Sequence, residues 1–267
     1  LEHRSAEFIA LAIREAGKSY PNAVSELREA VDFLRYYARQ VAASFEIDTH
    51  PPLGPVTCIS PWNFPLAIFL GQVSAALAAG NVVLAKPAEQ TPLIANAAIK
   101  VLHEAGVPTD VVQLLPGEGD VGAALVNDPR IQGVLFTGST EVAKIIADTL
   151  SQRLNAAGQS IPLIAETGGL NAMVVDSSAL AEQVTADVIN SAFDSAGQRC
   201  SALRILCIQE NVADRLITMI QGAMDELRLG NPDRLRTDIG PVIDAEAQQN
   251  IADYIEEMRG KGFKIRQ

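Results

Sequence analysis

The sequence predicts an α/β protein: an open, mostly parallel sheet, followed by a second α/β series. Three observations point there. Short aliphatic runs alternate with helical stretches of 10 to 16 residues, the pattern of right-handed βαβ crossovers. The chain has 267 residues and is 48% hydrophobic, enough to fill sizeable cores. A single adjacent glycine pair, Gly168-Gly169, separates two such alternating series.

The elements follow in order. From Asn22 to Ala43 the residues Val24, Leu27, Val31, Leu34, Ala38 and Val41 recur at spacings of three and four, with Asn22 placed as the N-cap; this is an amphipathic helix. After the turn-forming PPLGP, a strand over 56–60 leads to a helix over 66–79, then a strand over 81–86 and a helix over 91–106. In the last of these, Thr91 caps, Pro92 takes the first helical position and Gly106 closes. The alternation continues with VVQLLP and a short helix, GVLFTG and a helix over 140–154, then PLIAE. Past Thr167 come NAMVVD, a helix over 179–194, RILCI, a helix over 211–229 ending at Gly230, and a helix over 244–259. The boundary is placed at the glycine pair, dividing 1–167, a Rossmann-like unit, from 168–267. A ligand is expected at the carboxyl ends of the strands.

Composition narrows the partners. The net charge of −11, with no basic cluster, argues against nucleic acid and anionic membranes and for a small molecule. The longest apolar stretch, residues 65–80, carries Gln72 and Ser74 and is too short and punctuated to span a bilayer. No signal peptide is expected from the first residues. Three cysteines without a CxxC pair form neither a disulfide framework nor a zinc site, so a reducing, cytoplasmic setting is expected. His3, His50 and His103 are too scattered to bind a metal together.

Two glycine motifs compete for a dinucleotide. GEGDVG (117–122) fits the G-x-G-x-x-G pattern, but two βα units precede it and no acidic ribose partner stands about 20 residues on. FTGSTEVAK (136–144) is better placed: a strand, the Gly138 turn, the Ser139 and Thr140 hydroxyls, and the first amides of a helix converge on one point, an anion site. The alternative reading of Ser139 is an ordinary helix cap. Of the thiols, Cys58 and Cys207 lie in apolar runs and read as inert interior residues. Cys200 follows the Gly197 turn beside Arg199, a polar setting that favours thiolate.

Five segments in order, SPWNFP (60–65), KPAEQTP (86–92), FTGSTE (136–141), ETGG (166–169) and GQRCSA (197–202), resemble the aldehyde dehydrogenase superfamily. The stretches EAGKSYPNAVSELREAVDFLRYYA and DSSALAEQVTADVINSAFDSAGQRCSALRIL are similar to its L-glutamate γ-semialdehyde (pyrroline-5-carboxylate) dehydrogenase branch, in the form found as a module of bifunctional proline-utilisation enzymes. The resemblance covers the chain from Leu1 to Gln267. Superfamily members carry roughly a hundred further residues before the helix at 22–43 and a further segment after 267, on the scale of a small domain. The chain therefore reads as a middle portion, and by itself as inactive.

The resemblance implies roles. Cys200 is the nucleophile that forms a thioester. The Asn63 amide and the Cys200 backbone N–H make the oxyanion hole, where losing a donor costs about 3–4 kcal/mol. Glu166, 34 residues before Cys200, is the base for hydrolysis, expected to be partly desolvated where it leaves the apolar PLIA run. For NAD, Lys86 and Glu89 hold the adenosine ribose, Ser139 meets the pyrophosphate, and Gly119, Gly122 and Val142 wall the adenine slot. Gly138, Thr167 and Trp62 complete the cofactor set, Ser201 is the substrate anchor within the chain, and no metal is required. Glu89 accepts from a ribose hydroxyl and repels a 2′-phosphate, which favours NAD over NADP. Ala143 stands where many members have glycine. Full-length members are expected to be homo-oligomers. Three alternatives remain: a dehydrogenase for another aldehyde, a nucleotide-binding fragment without turnover, and a plain reductase using GEGDVG.

Overall fold

The structure, a computed structural model, describes residues 1–46, 48–155 and 157–266. Two helices open it, α1 (Ser5–Ala16) and α2 (Tyr20–Ser44). A βα series follows: β1 (Pro55–Ile59), α3 (Ala67–Ala78), β2 (Val82–Lys86), α4 (Pro92–Glu104), β3 (Val112–Leu114), α5 (Gly119–Asn127), β4 (Gly133–Gly138), α6 (Thr140–Ser151) and β5 (Leu163–Thr167). Its five strands are all parallel in the order β3-β2-β1-β4-β5. The chain runs outward from β1 to β3 and then returns to place β4 on the other side of β1, so the order reverses between β1 and β4. A crevice opens there, beyond the carboxyl ends of the strands.

The two faces of the sheet carry different helices. Val56, Cys58, Val83, Ala85 and Val112 pack under α1 to α4, with Phe8, Leu66, Phe69 and Ile94 at the centre of that core. Val134 and Phe136, joined by Ile59 and Leu84, meet Val126, Ile146 and Leu150 of α5 and α6 on the other face. The second unit has a parallel pair, β6 (Asn171–Val175) and β7 (Leu203–Ile208), with α7 (Ala181–Phe193) and α8 (Glu210–Asp225) packed on one face, and α9 (Ala245–Gly260) near the end of the chain. The change of sheet falls between Thr167 and Asn171.

Several expectations need correction. Helix α1 is an addition to the elements expected from the sequence. Helix α2 begins at Tyr20, so Asn22 lies inside its first turn and is not the cap. Helix α8 ends at Asp225, short of Gly230. Thr91 precedes α4 but its hydroxyl makes no capping bond; the Glu15 carboxylate of α1 accepts from Leu93 N at 2.8 Å and Ile94 N at 2.7 Å instead. Cys207 is exposed, because Leu206 and Ile208 take the covered face of β7 and leave Ile205 and Cys207 on the open one. No helix among the described residues is long and apolar enough to cross a membrane.

Candidate active site

The crevice between the two units has a volume of about 630 Å³ and is lined by Trp62, Asn63, Lys86, Glu89, Gly138, Ser139, Val142, Thr167 and Cys200. Nine residues expected at one site from five separate segments thus share one cleft. Strand β1 ends into the Ser60–Asn63 turn, β2 ends at Lys86, and β4 delivers Gly138. At Gly138 a Cβ would stand 2.5 Å from the Phe136 ring, so no other residue fits without a shift. Gln72 ties the strand ends together, donating to Thr137 Oγ1 at 3.0 Å and to the Ile59 carbonyl at 3.3 Å.

The thiol is presented by a reversal. A 3₁₀ turn, Asp194–Gly197, follows α7, and Ser195, Ala196 and Gly197 all take left-handed backbone angles, with φ of 54°, 55° and 67°. Two of these are not glycine, a conformation that costs free energy unless the surroundings hold it. They do hold it: Arg204 donates to the Gly197 carbonyl at 2.7 Å, and Asn171 Nδ2 donates to the carbonyls of Cys200 at 2.8 Å and Ala202 at 3.0 Å. Gln198 is fixed at both ends, Nε2 donating to Ser195 O at 3.0 Å and Oε1 accepting from Ile243 N at 2.9 Å. Cys200 itself is exposed at the cleft wall. Cys58 is the opposite case, buried in β1 with burial pushing its thiol up to about 12.

Asn63 reaches across to this loop. Its Nδ2 donates to the Gln198 carbonyl at 3.0 Å, two residues before the thiol, while its Oδ1 is buried without a partner. An amide nitrogen has two N–H groups. One of them holds the thiol loop.

Arg199 does not serve the thiol as expected. Its guanidinium donates to the carbonyls of Asn190 and Ser191 at the end of α7 and lies 3.7 Å from Asp194. Glu166 is also placed differently. On the edge strand β5, opposite Thr137, it is exposed and not desolvated, and it is not among the cleft-lining residues although Thr167 is. Ser201 is exposed and likewise outside the lining.

On the nucleotide side Lys86 is buried, donates to the Pro87 carbonyl at 3.1 Å and lies 3.8 Å from Glu89. Burial holds its amine below the ordinary value of 10.5, opposed by the charges of Glu89, Asp120 and Glu118. Gly122 backs this lysine: a Cβ there would touch the Lys86 stem at 3.5 Å. Gly119 opens α5 beside open space, and neither glycine lines the cleft directly. Ser139 caps α6, accepting from Val142 N at 3.2 Å, so its hydroxyl makes the ordinary cap while facing the cleft. Gln198 and Asn171 escaped the sequence reading. The former stands inside the GQRC segment and the latter directly follows the ETGG segment and Leu170, so position was the signal and side-chain role was not.

The aldehyde dehydrogenase family profile matches residues 1–267, the whole chain. The chain belongs to the aldehyde dehydrogenase family. Within it, the chain is 63% identical to the bifunctional protein PutA of Klebsiella aerogenes over 268 residues, covering 100% of this chain and 20% of that one. It is 38% identical to the 1-pyrroline-5-carboxylate dehydrogenase of Anoxybacillus flavithermus, covering 98% of this chain and 53% of that one. Among solved structures it superposes on a bifunctional proline utilization A protein with a TM-score of 0.91 at 54% identity, covering 97% of this chain and 28% of the other. It also superposes on a Thermus 1-pyrroline-5-carboxylate dehydrogenase solved with bound NAD, with a TM-score of 0.88 at 35% identity, covering 96% and 52%. The chain thus spans about a fifth of the bifunctional relative and about half of the monofunctional one.

Proposed function

We propose that this segment carries the thiol and most of the cofactor cleft of an NAD-dependent aldehyde dehydrogenase that oxidises L-glutamate γ-semialdehyde to L-glutamate. The observation that carries the reading is the Asn63 amide bonded to the Gln198 carbonyl, beside an exposed Cys200 in the cleft shared with Lys86 and Glu89. The division into a nucleotide unit, 1–167, and a thiol unit, 168–267, belongs to the same proposal, as does a cytoplasmic location. Similarity to 1-pyrroline-5-carboxylate dehydrogenases supports the substrate.

The cleft suits a dinucleotide in size, within the usual 300–1,000 Å³ range, and in chemistry. Lys86 and Glu89 offer a donor and an acceptor for ribose hydroxyls, and the Glu89 carboxylate repels a 2′-phosphate. Ser139 and the α6 amides suit the pyrophosphate. NAD, when bound, supplies the acceptor for the hydride of the aldehyde carbon.

The protein's own groups do the rest. Cys200 adds as thiolate to the aldehyde carbon, forming a C–S bond, and the carbonyl oxygen becomes an oxyanion. The second Asn63 N–H and the Cys200 backbone N–H stabilise that charge, and both are fixed before reaction. Loss of hydride leaves a thioester on Cys200. Water then attacks, Glu166, which directly precedes the cleft-lining Thr167, takes its proton, the C–S bond breaks, and the acid and the thiol are released.

Glu166→Gln tests this assignment. It should keep the first burst of NADH and slow later turnover, since the base acts on water. Loss of the burst itself would show that Glu166 acts earlier, on the thiol. A second reading, a nucleotide-binding segment that does not turn over by itself, is favoured by one observation: Cys200, Glu166 and Ser201 are all exposed. The 267 residues assayed alone should bind nucleotide, measurable by calorimetry, yet form negligible NADH, because loose positioning costs about 100-fold. Turnover near the ordinary 1–10 per second range would contradict that reading.

A further inference from the structure

The start of α2 lies outside the cleft but touches both of its working loops. Lys18 and Glu26 form an ion pair of 2.8 Å with side chains only 3% and 0% exposed. Glu26 Oε1 accepts from Leu66 N at 2.8 Å and Ala67 N at 3.2 Å, the first amides of α3, which has no cap of its own. The Lys18 ammonium stands 4.1 Å from the centre of the Phe64 ring. Phe64 and Leu66 flank the end of the turn that carries Asn63. Four residues before Glu26, on the same helix face, Asn22 Nδ2 donates to Ser19 Oγ at 2.9 Å and to Asp194 Oδ1 at 2.5 Å. Asp194 in turn accepts from Ser195 N at 3.0 Å, inside the left-handed reversal that presents Cys200.

We propose that Lys18, Asn22 and Glu26 are positioning residues that set Asn63 against Cys200: Glu26 with Lys18 fixes the Asn63 turn, and Asn22 fixes the thiol loop through Asp194. This rests on the reading of Asn63 as an oxyanion donor. The chemistry of the pair fits such a role better than a role in stability. Burying two charges gains little stability over an apolar pair of the same volume. Charge-assisted bonds from one carboxylate to two backbone amides, by contrast, fix a turn closely, and the reacting atoms tolerate only small misplacement.

The test is a set of double-mutant cycles in the full-length polypeptide, read by single-turnover NADH formation with NAD and glutamate γ-semialdehyde. Asn63→Ala should slow that step by about 100-fold or more. Asn22→Ala should slow it by roughly 10-fold while KM for NAD stays within about 2-fold, and should cost nothing further in the Asn63→Ala background. Glu26→Gln, which keeps the acceptor but leaves Lys18 unpaired, should lose a similar factor, and the double variant Glu26→Gln/Lys18→Met should recover to within roughly 3-fold. If the Glu26 variants do not fold, the Asn22→Ala cycle decides alone. An Asn22→Ala loss that is equal with and without Asn63, or no loss at all, overturns the positioning role. An unchanged rate in Asn63→Ala overturns the underlying reading of Asn63, so the two failures are told apart.

Discussion

Gly197→Ala and Ala196→Gly should move stability in opposite directions, although they change neighbouring residues by one methyl group. At Gly197 φ is +67°, and an added Cβ would stand 2.8 Å from the Ala192 carbonyl oxygen and 3.3 Å from Arg204 Nη1. The left-handed angle costs an alanine about 1–2 kcal/mol. The close approach to a backbone oxygen adds about 1–3 kcal/mol, as in overpacked cores, and the reduced freedom of the unfolded chain returns about 0.4–1 kcal/mol. The sum is a loss of roughly 3 kcal/mol. Ala196, at φ 55°, already bears the left-handed penalty, so glycine there should be neutral or stabilising by up to about 1 kcal/mol. Thermal denaturation reads this as a fall of about 6–12 °C for Gly197→Ala, at roughly 2–4 °C per kcal/mol, against a small rise for Ala196→Gly. Alkylation of Cys200 should speed or slow several-fold only in Gly197→Ala. Equal effects of the two substitutions, or a harmless Gly197→Ala, would refute the left-handed reversal as the support of the thiol.

Two further predictions concern the cleft. Limiting alkylation of the native protein should modify Cys200 first and the exposed Cys207 more slowly, while Cys58, buried and with its thiol pushed up to about 12, stays unmodified; peptide mapping checks the order, and labelling of Cys58 in folded protein would contradict it. Nucleotide affinity should decline as pH rises, with a midpoint below the ordinary lysine value of 10.5, because burial lowers the pKa of Lys86 and the charge is lost early; calorimetry across pH 7 to about 10 should give a flat profile for Lys86→Met, and a flat wild-type profile would count against Lys86.

The alternating βα series was legible because strand and helix periodicities differ locally, and Pro92 at the first position of α4 marks a start by type alone. What joins the elements was not. Glu15 and Glu26 supply the first-turn acceptors of α4 and α3 from helices 78 and 40 residues away in sequence, and no local pattern encodes such a partner. The same limit explains Asn22, which fits a cap by type but bonds to Asp194 at a separation of 172 residues. Exposure was also hidden in both units: Glu166 follows an apolar run and Cys207 sits within one, yet β5 is the edge of the first sheet and β7, in the second, has one open face. An apolar run predicts a strand, not which of its faces is covered. Nine of the expected site residues, by contrast, converge on one cleft, because the chain-order spacing of their five segments is specific even where single residues are not, whereas Glu166, Ser201, Gly119 and Gly122 fall outside its lining.

The most direct test of the account is to trap the covalent state. The full-length Glu166→Gln polypeptide, mixed with NAD and glutamate γ-semialdehyde and quenched in acid, should carry an acyl group, the mass of the substrate less two hydrogens, on the peptide containing Cys200. Cys200→Ser should carry none and form no NADH. An adduct on Cys58 or Cys207, or full NADH formation by Cys200→Ser, would contradict the assignment of Cys200 as the nucleophile.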